Sequence, residues 1–134
     1  GSVYIEKLLE RPRHIEIQIF GDGLQLRDFV FVDDAADAFL RAGASDRSNG
    51  EVFNVGGAQP ISHLELVTLL IDVAGAGTYR LVDWPAEKKA IDIGSFFADS
   101  SRIRATLGWE PQVSLRDGLA RTIEFYRAHF EKYA

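Results

Sequence analysis

Arg27 is the residue in this sequence whose type and setting most directly suggest chemistry. It follows the turn Gly21-Asp22-Gly23, whose glycines permit positive φ, and it opens the β-rich run Asp28–Val32. A guanidinium fixed at the start of a strand beside such a turn can hold a phosphate through its planar donor fork. The competing reading is a surface arginine paired with Asp28 or Asp33, an arrangement that contributes little. Phe29 lies two positions on, so on a strand it shares the face of Arg27; it can flank a ligand or pack into the core.

The other polar clusters point to structure rather than catalysis. Asp33-Asp34 reads as a helix cap before it reads as an acid/base pair. His14, His63 and His129 have no metal-ligand spacing, and the chain has no cysteine. Tyr4 and Lys7 are three apart, whereas a Tyr-x-x-x-Lys pair needs four. Ser100-Ser101 has no histidine at nucleophile–base spacing and reads as a helix start. Neither Gly21-Asp22-Gly23 nor Gly56-Gly57 forms a G-x-G-x-x-G, so no dinucleotide fingerprint is present. No catalytic, cofactor-binding or metal-binding residue is assigned.

These groups must be positioned by an alternation of short strands and capped helices. Tyr4–Arg11 has a helical pattern that begins abruptly, and Pro12 follows it. Ile15, Ile17 and Ile19 alternate with polar residues, the period of a half-buried strand. Asp34 is expected to cap a helix running to about Ala42, with Gly43 as its stop. Glu51–Val55 reads as a short buried strand ending at Gly56-Gly57. Ser62 with Glu65 forms a capping-box pattern for a helix to Ala74, with Gly75 beyond it. Tyr79–Trp84 reads as a strand broken by Pro85; Asp99 or Ser100 starts a short helix ending at Gly108, and Ser114 opens the last one. Trp84 and Trp109 are read as anchors beneath their loops. The expected fold class is α/β, a small mixed sheet of short strands with about five helices, in a single domain over residues 1–134.

Bulk composition bounds the function. The chain has 134 residues, 46% hydrophobic and 26% charged, enough to bury a core. A net charge of −5 argues against a nucleic-acid partner. No apolar window reaches membrane-span length and no leader is recognisable; the absence of cysteine fits a reducing cytoplasm, which is the expected setting. Gly1-Ser2 reads as an expression scar.

Several segments, in order, carry a family resemblance. They are GDGLQLRDFVFVDD (Gly21–Asp34), GEVFNVGG (Gly50–Gly57), PISHLELVTLL from Pro60, and FFADSSRIRATLGWEPQVSLRDGLARTIEFYR (Phe96–Arg127). Together they resemble the C-terminal, substrate-binding part of the NAD-dependent epimerase/dehydratase family, the extended short-chain dehydrogenase/reductases that act on nucleotide-sugars. The family's glycine fingerprint and Tyr-x-x-x-Lys, which belong to its N-terminal catalytic part, have no counterpart in this sequence.

The resemblance implies that Arg27 contacts the diphosphate of a nucleoside-diphosphate sugar and that Phe29 lies near it. It further implies that Lys89 and Asp92 occupy the positions of a second phosphate contact and a ribose contact, where the family often shows R-x-G-D. Lysine in place of arginine gives a point charge instead of a fork, and Ile91 stands in place of the glycine. A solvated loop with two lysines is the alternative there.

The expected function is therefore nucleotide-sugar binding without catalysis by this chain alone. The cofactor of the complete family is NAD, and none is expected to be bound by this chain by itself. The alternative function is a self-associating interaction module without a small-molecule ligand. Homodimerisation is expected in either case, because apolar residues such as Phe39, Val52, Phe53 and Val55 would lie uncovered.

Overall fold

The computed structural model describes residues 16–133. The expected helix at Tyr4–Arg11, and with it Tyr4, Lys7, His14 and Ile15, lies outside the described residues.

Strand β1 (Glu16–Phe20) follows from the alternation in Glu-Ile-Gln-Ile-Phe, and it buries Ile19. It pairs in parallel with β4 (Thr78–Val82), in the register Glu16↔Thr78 to Phe20↔Val82. The pairing continues into the turn, where the Gly21 amide donates to the Val82 carbonyl at 2.8 Å. Gly21 and Gly23 both hold φ of +71°, so the turn needs the left-handed conformation at both positions. The expected strand ending at Trp84 stops two residues earlier, and a short helix α3 (Ala86–Lys89) follows Pro85 where a loop was anticipated.

The second sheet is an antiparallel ribbon of β2 (Leu26–Arg27) and β3 (Ile61–Ser62), in the register Leu26↔Ser62 and Arg27↔Ile61. With helices α1 (Val32–Gly43), α2 (His63–Ala74), α4 (Ser101–Leu107) and α5 (Leu115–Ala128), the class is α/β with five α-helices among the described residues. The mixed pairing is divided between two two-stranded sheets, one parallel and one antiparallel.

Helix ends are set by local chemistry. The Ser62 hydroxyl accepts from the Glu65 amide at 3.2 Å and the Glu65 carboxylate accepts from the Ser62 amide at 2.9 Å, a complete capping box. Ser114 accepts from the Asp117 amide at 3.1 Å, and α2 and α4 end on Gly75 and Gly108.

Three expectations are corrected. Asp34 does not cap α1: the helix already starts at Val32, and its flanking residue Phe31 supplies no side-chain cap. Asp34 is instead buried, accepting from the Val113 amide at 2.9 Å, while its carbonyl accepts from the Trp109 indole at 2.9 Å. The strand expected over Asp28–Val32 is confined to Leu26–Arg27. Beyond it, the Asp28 carboxylate turns to the amides of Gly57 (3.1 Å) and Ala98 (3.3 Å), and α1 begins at Val32. Glu51–Val55 forms no strand, and among the described residues no ladder partner lies alongside it. Phe53 and Val55 pack against the core of Ala38, Ile103 and Trp109 without one. Trp109, 1% exposed, is the anchor expected of it.

Candidate functional site

The expected site residues fall around one face of the β2–β3 ribbon. Side chains alternate across a strand, so Arg27 and its cross-strand neighbour Ile61 project to one side, and Leu26 and Ser62 to the other. The ladder runs one residue further, because the His63 amide donates to the Gln25 carbonyl at 3.1 Å. Gln25 and His63 therefore share the side of Arg27.

The segment after α3 lies against the free edge of β2. The Leu26 amide donates to the Ser95 hydroxyl at 3.0 Å, and the Phe96 amide donates to the Leu26 carbonyl at 3.0 Å. This docking carries the 89–94 turn to Arg27. The guanidinium donates through Nη1 to the carbonyls of Gly94 (2.6 Å) and Leu26 (2.7 Å). Among the described residues its Nε and Nη2 have no partner. The fork is thus held at one end and presents its remaining donors.

Asp92 closes the arrangement. Its Oδ2 accepts from Gln25 Nε2 at 2.7 Å and Lys89 Nζ at 3.1 Å, and its Oδ1 accepts from the Gly94 amide at 3.2 Å. The side chain is only 9% exposed. The Lys89 hydrogen bond, reinforced by the Gly94 amide and Gln25, holds its carboxyl below the usual carboxylate range against the opposing effect of desolvation. Lys89 also lies 5.0 Å from the centroid of the Trp84 ring, which in turn packs on Phe20 at 5.3 Å.

Arg27, Lys89 and Asp92 are therefore brought together, linked through Gly94. Phe29 is not. The strand stops at Arg27, so the shared face expected for Phe29 does not exist, and its backbone sits against Gly57. A Cβ at Gly57 would run into the Phe29 backbone, and one at Gly56 into the Asp28 carboxylate. The double glycine is required by this close approach.

Gln25, His63 and Trp84 belong to the same region and were not among the site residues expected from the sequence. Gln25 had a signal: it stands two residues before Arg27 and so takes the same strand face. His63 had none, because its position depends on the pairing of β2 with β3. Gln25, His63 and Trp84, with Gln18 and the apolar Ile17 and Phe20, line a cleft of about 210 Å³ between β1 and α2.

The Gly21-Asp22-Gly23 turn is not an open cradle for a pyrophosphate. The Gly21 amide is taken by Val82, and a Cβ at Gly21 would meet the Trp84 indole, so the glycine turn is packed under a ring rather than open to a ligand. Among the described residues no group of His, Asp and Glu could hold a metal ion, and no helix is long and apolar enough to cross a membrane.

Comparison with known proteins identifies the wider context. Residues 2–56 match the model of the NAD dependent epimerase/dehydratase family. The chain is 43% identical over 110 residues to a UDP-glucose 4-epimerase of Mycolicibacterium smegmatis, covering 82% of this chain and 34% of that protein. It is 37% identical over 131 residues to a dTDP-glucose 4,6-dehydratase of Streptomyces griseus, covering 92% of this chain and 38% of that one. Among solved structures, a UDP-glucose 4-epimerase from Thermotoga maritima, crystallised with UDP-glucose, superposes with a TM-score of 0.70 at 34% identity, over 86% of this chain and 36% of the other. The chain spans little more than a third of the length of these relatives, and over that span it belongs to the NAD-dependent epimerase/dehydratase family.

Proposed function

We propose that this chain grips the nucleoside-diphosphate end of a nucleotide-sugar and does not by itself perform epimerisation or dehydration. The observation that carries the reading is Arg27. Its guanidinium is anchored by the Leu26 and Gly94 carbonyls, leaves donors without partners among the described residues, and stands beside the Lys89–Asp92 pair. A fork fixed in this way suits phosphate oxygens and loses little freedom on binding. Asp92 can exchange its Gln25 or Lys89 partner for a ribose hydroxyl, which leaves Lys89 available as a second cation. The family relatives supply the ligand class, since proteins similar to this one are named for UDP- and dTDP-sugars. Two things support the non-catalytic half of the reading. The sequence contains no Tyr-x-x-x-Lys to act as base, and the glycine turn is closed beneath Trp84.

Calorimetric titration with UDP-glucose and dTDP-glucose tests the reading. Arg27→Ala should weaken binding by about 1–3 kcal/mol, the range for losing a charge-assisted hydrogen bond. Equal affinity in the variant would remove Arg27 from the site. No heat of binding in the parent would favour a second reading, a self-associating module. The observation behind that one is the exposure of Phe39 (79%), Leu40 (73%) and Val52 (75%).

A further inference from the structure

Arg27 is accompanied on its face of the ribbon by a second basic side chain, that of His63. The pleat and register place Gln25, Arg27 and His63 on one side, with Asp92 laid across from the neighbouring turn. His63 is the first residue of α2, but the helix end offers no open amides. Those of His63, Leu64 and Glu65 already donate to the Gln25 carbonyl, the Gly23 carbonyl and the Ser62 hydroxyl. What α2 presents to the cleft at this end is therefore the imidazole.

Among the described residues the charges around it are few. Arg27 faces it from β2, and Asp92 faces it from the turn after α3, with Lys89 on the far side of that carboxylate. Strand β1 contributes the uncharged Gln18 to the cleft and the segment after β4 contributes Trp84. On its own helix, Glu65 is committed to Ser62.

We propose that His63 is a further binding residue of this site, a proton-dependent cation that meets the anionic part of the nucleotide beside Arg27. The inference rests on the nucleotide reading above. In the free chain, burial and the neighbouring guanidinium hold the imidazole below its usual 6.5, and Asp92 offsets this only in part. His63 is then neutral at pH 7.5. A bound diphosphate reverses the sign of the local field and favours the imidazolium, so binding takes up a proton and tightens as pH falls.

The test is calorimetric titration of the full chain with UDP-glucose between pH 5.5 and 8, in parallel with His63→Gln. The diphosphate diester of this ligand keeps its charge over that range, so the probe itself does not titrate. The parent Kd should tighten severalfold from pH 8 to 5.5, because the bound anion favours the imidazolium, while the variant's affinity stays level. The ring protons of His63, assigned through bonds in the isotopically labelled parent, should titrate at higher pH in the saturated complex than in the free parent. That measurement needs only the parent ligand-binding data if the variant folds poorly. Parent affinity that does not change with pH, an equal slope in His63→Gln, or a ring titration unmoved by ligand overturns the role of His63 and leaves the nucleotide reading standing. Absence of UDP-glucose binding at every pH overturns both.

Discussion

Asp92 is the residue on which the geometry of the site turns. It gathers Gln25, Lys89 and the Gly94 amide onto one carboxylate, and Gly94 in turn receives the Arg27 guanidinium. Because the folded state holds this carboxyl below its ordinary 3.8, the ionised form stabilises the 89–94 turn. That contribution is complete above about pH 4 and drains away as pH falls through the lowered value. Protection of the Gly94 amide relative to its intrinsic exchange rate should therefore fall as pH drops below about 4. The Asp92→Asn variant should show the lower protection at neutral pH as well. Protection of Gly94 that is the same in parent and variant would mean that the turn is held by the Ser95 and Phe96 contacts alone. The candidate status of Arg27, Lys89 and Asp92 was legible from the sequence because their positions follow a family pattern, with lysine at 89 where the pattern has arginine. Their convergence was not, since Gln25 and Asp92 lie 67 residues apart and meet only through the docking of the 95–96 segment on β2.

At the scale of elements, what the sequence announces clearly is whatever chemistry is local. Ser62 with Glu65, Ser114 with Asp117, Gly75 and Gly108 mark helix ends within three or four residues, and each mark is realised. What it conceals is a residue whose partner is distant. Asp34 has the composition of a cap, yet its carboxylate is used by Val113, 79 residues on, and fastens α1 to the approach of α5. Likewise Val52, Phe53 and Val55 have strand-forming side chains, but burial of Phe53 and Val55 against Trp109 and Ile103 is achieved in an irregular segment. The Asp34 assignment has a measurable consequence. Asp34→Ala should destabilise the fold by about 1–3 kcal/mol, the cost of stranding the Val113 amide, with urea denaturation as the measurement. An unchanged midpoint would show that water replaces the carboxylate at no cost. Arg41 and Asp37, an exposed pair on the same helix, should by contrast contribute well under 1 kcal/mol.

At the scale of the whole molecule, the interior formed by the described residues is thin. Among the described residues the buried apolar side chains are Ile19, Ala38, Val67, Ile103 and Trp109, while Val32, Phe39, Leu40 and Val52 on and after α1 are each at least 69% exposed. Burial of such apolar surface stabilises by about 25 cal/mol per Å². We therefore expect self-association, read by light scattering as a mass rising above 14.9 kDa with concentration. A mass constant into the high micromolar range would contradict it. The residues of the proposed grip, Arg27 and Asp92, belong to the β2–β3 ribbon and the turn beside it rather than to α1, so binding and self-association can be measured independently. The grip on nucleotide is thus separable from oligomeric state, and it is the claim on which the functional account depends. Nuclear magnetic resonance of the isotopically labelled chain, titrated with UDP-glucose, tests it most directly. The account predicts shift changes concentrated at the Arg27 guanidinium, the Gln25 side-chain amide, the Trp84 indole and the Gly94 amide, saturating together. Changes confined to α1, or no saturable change at any of these four groups, would contradict it.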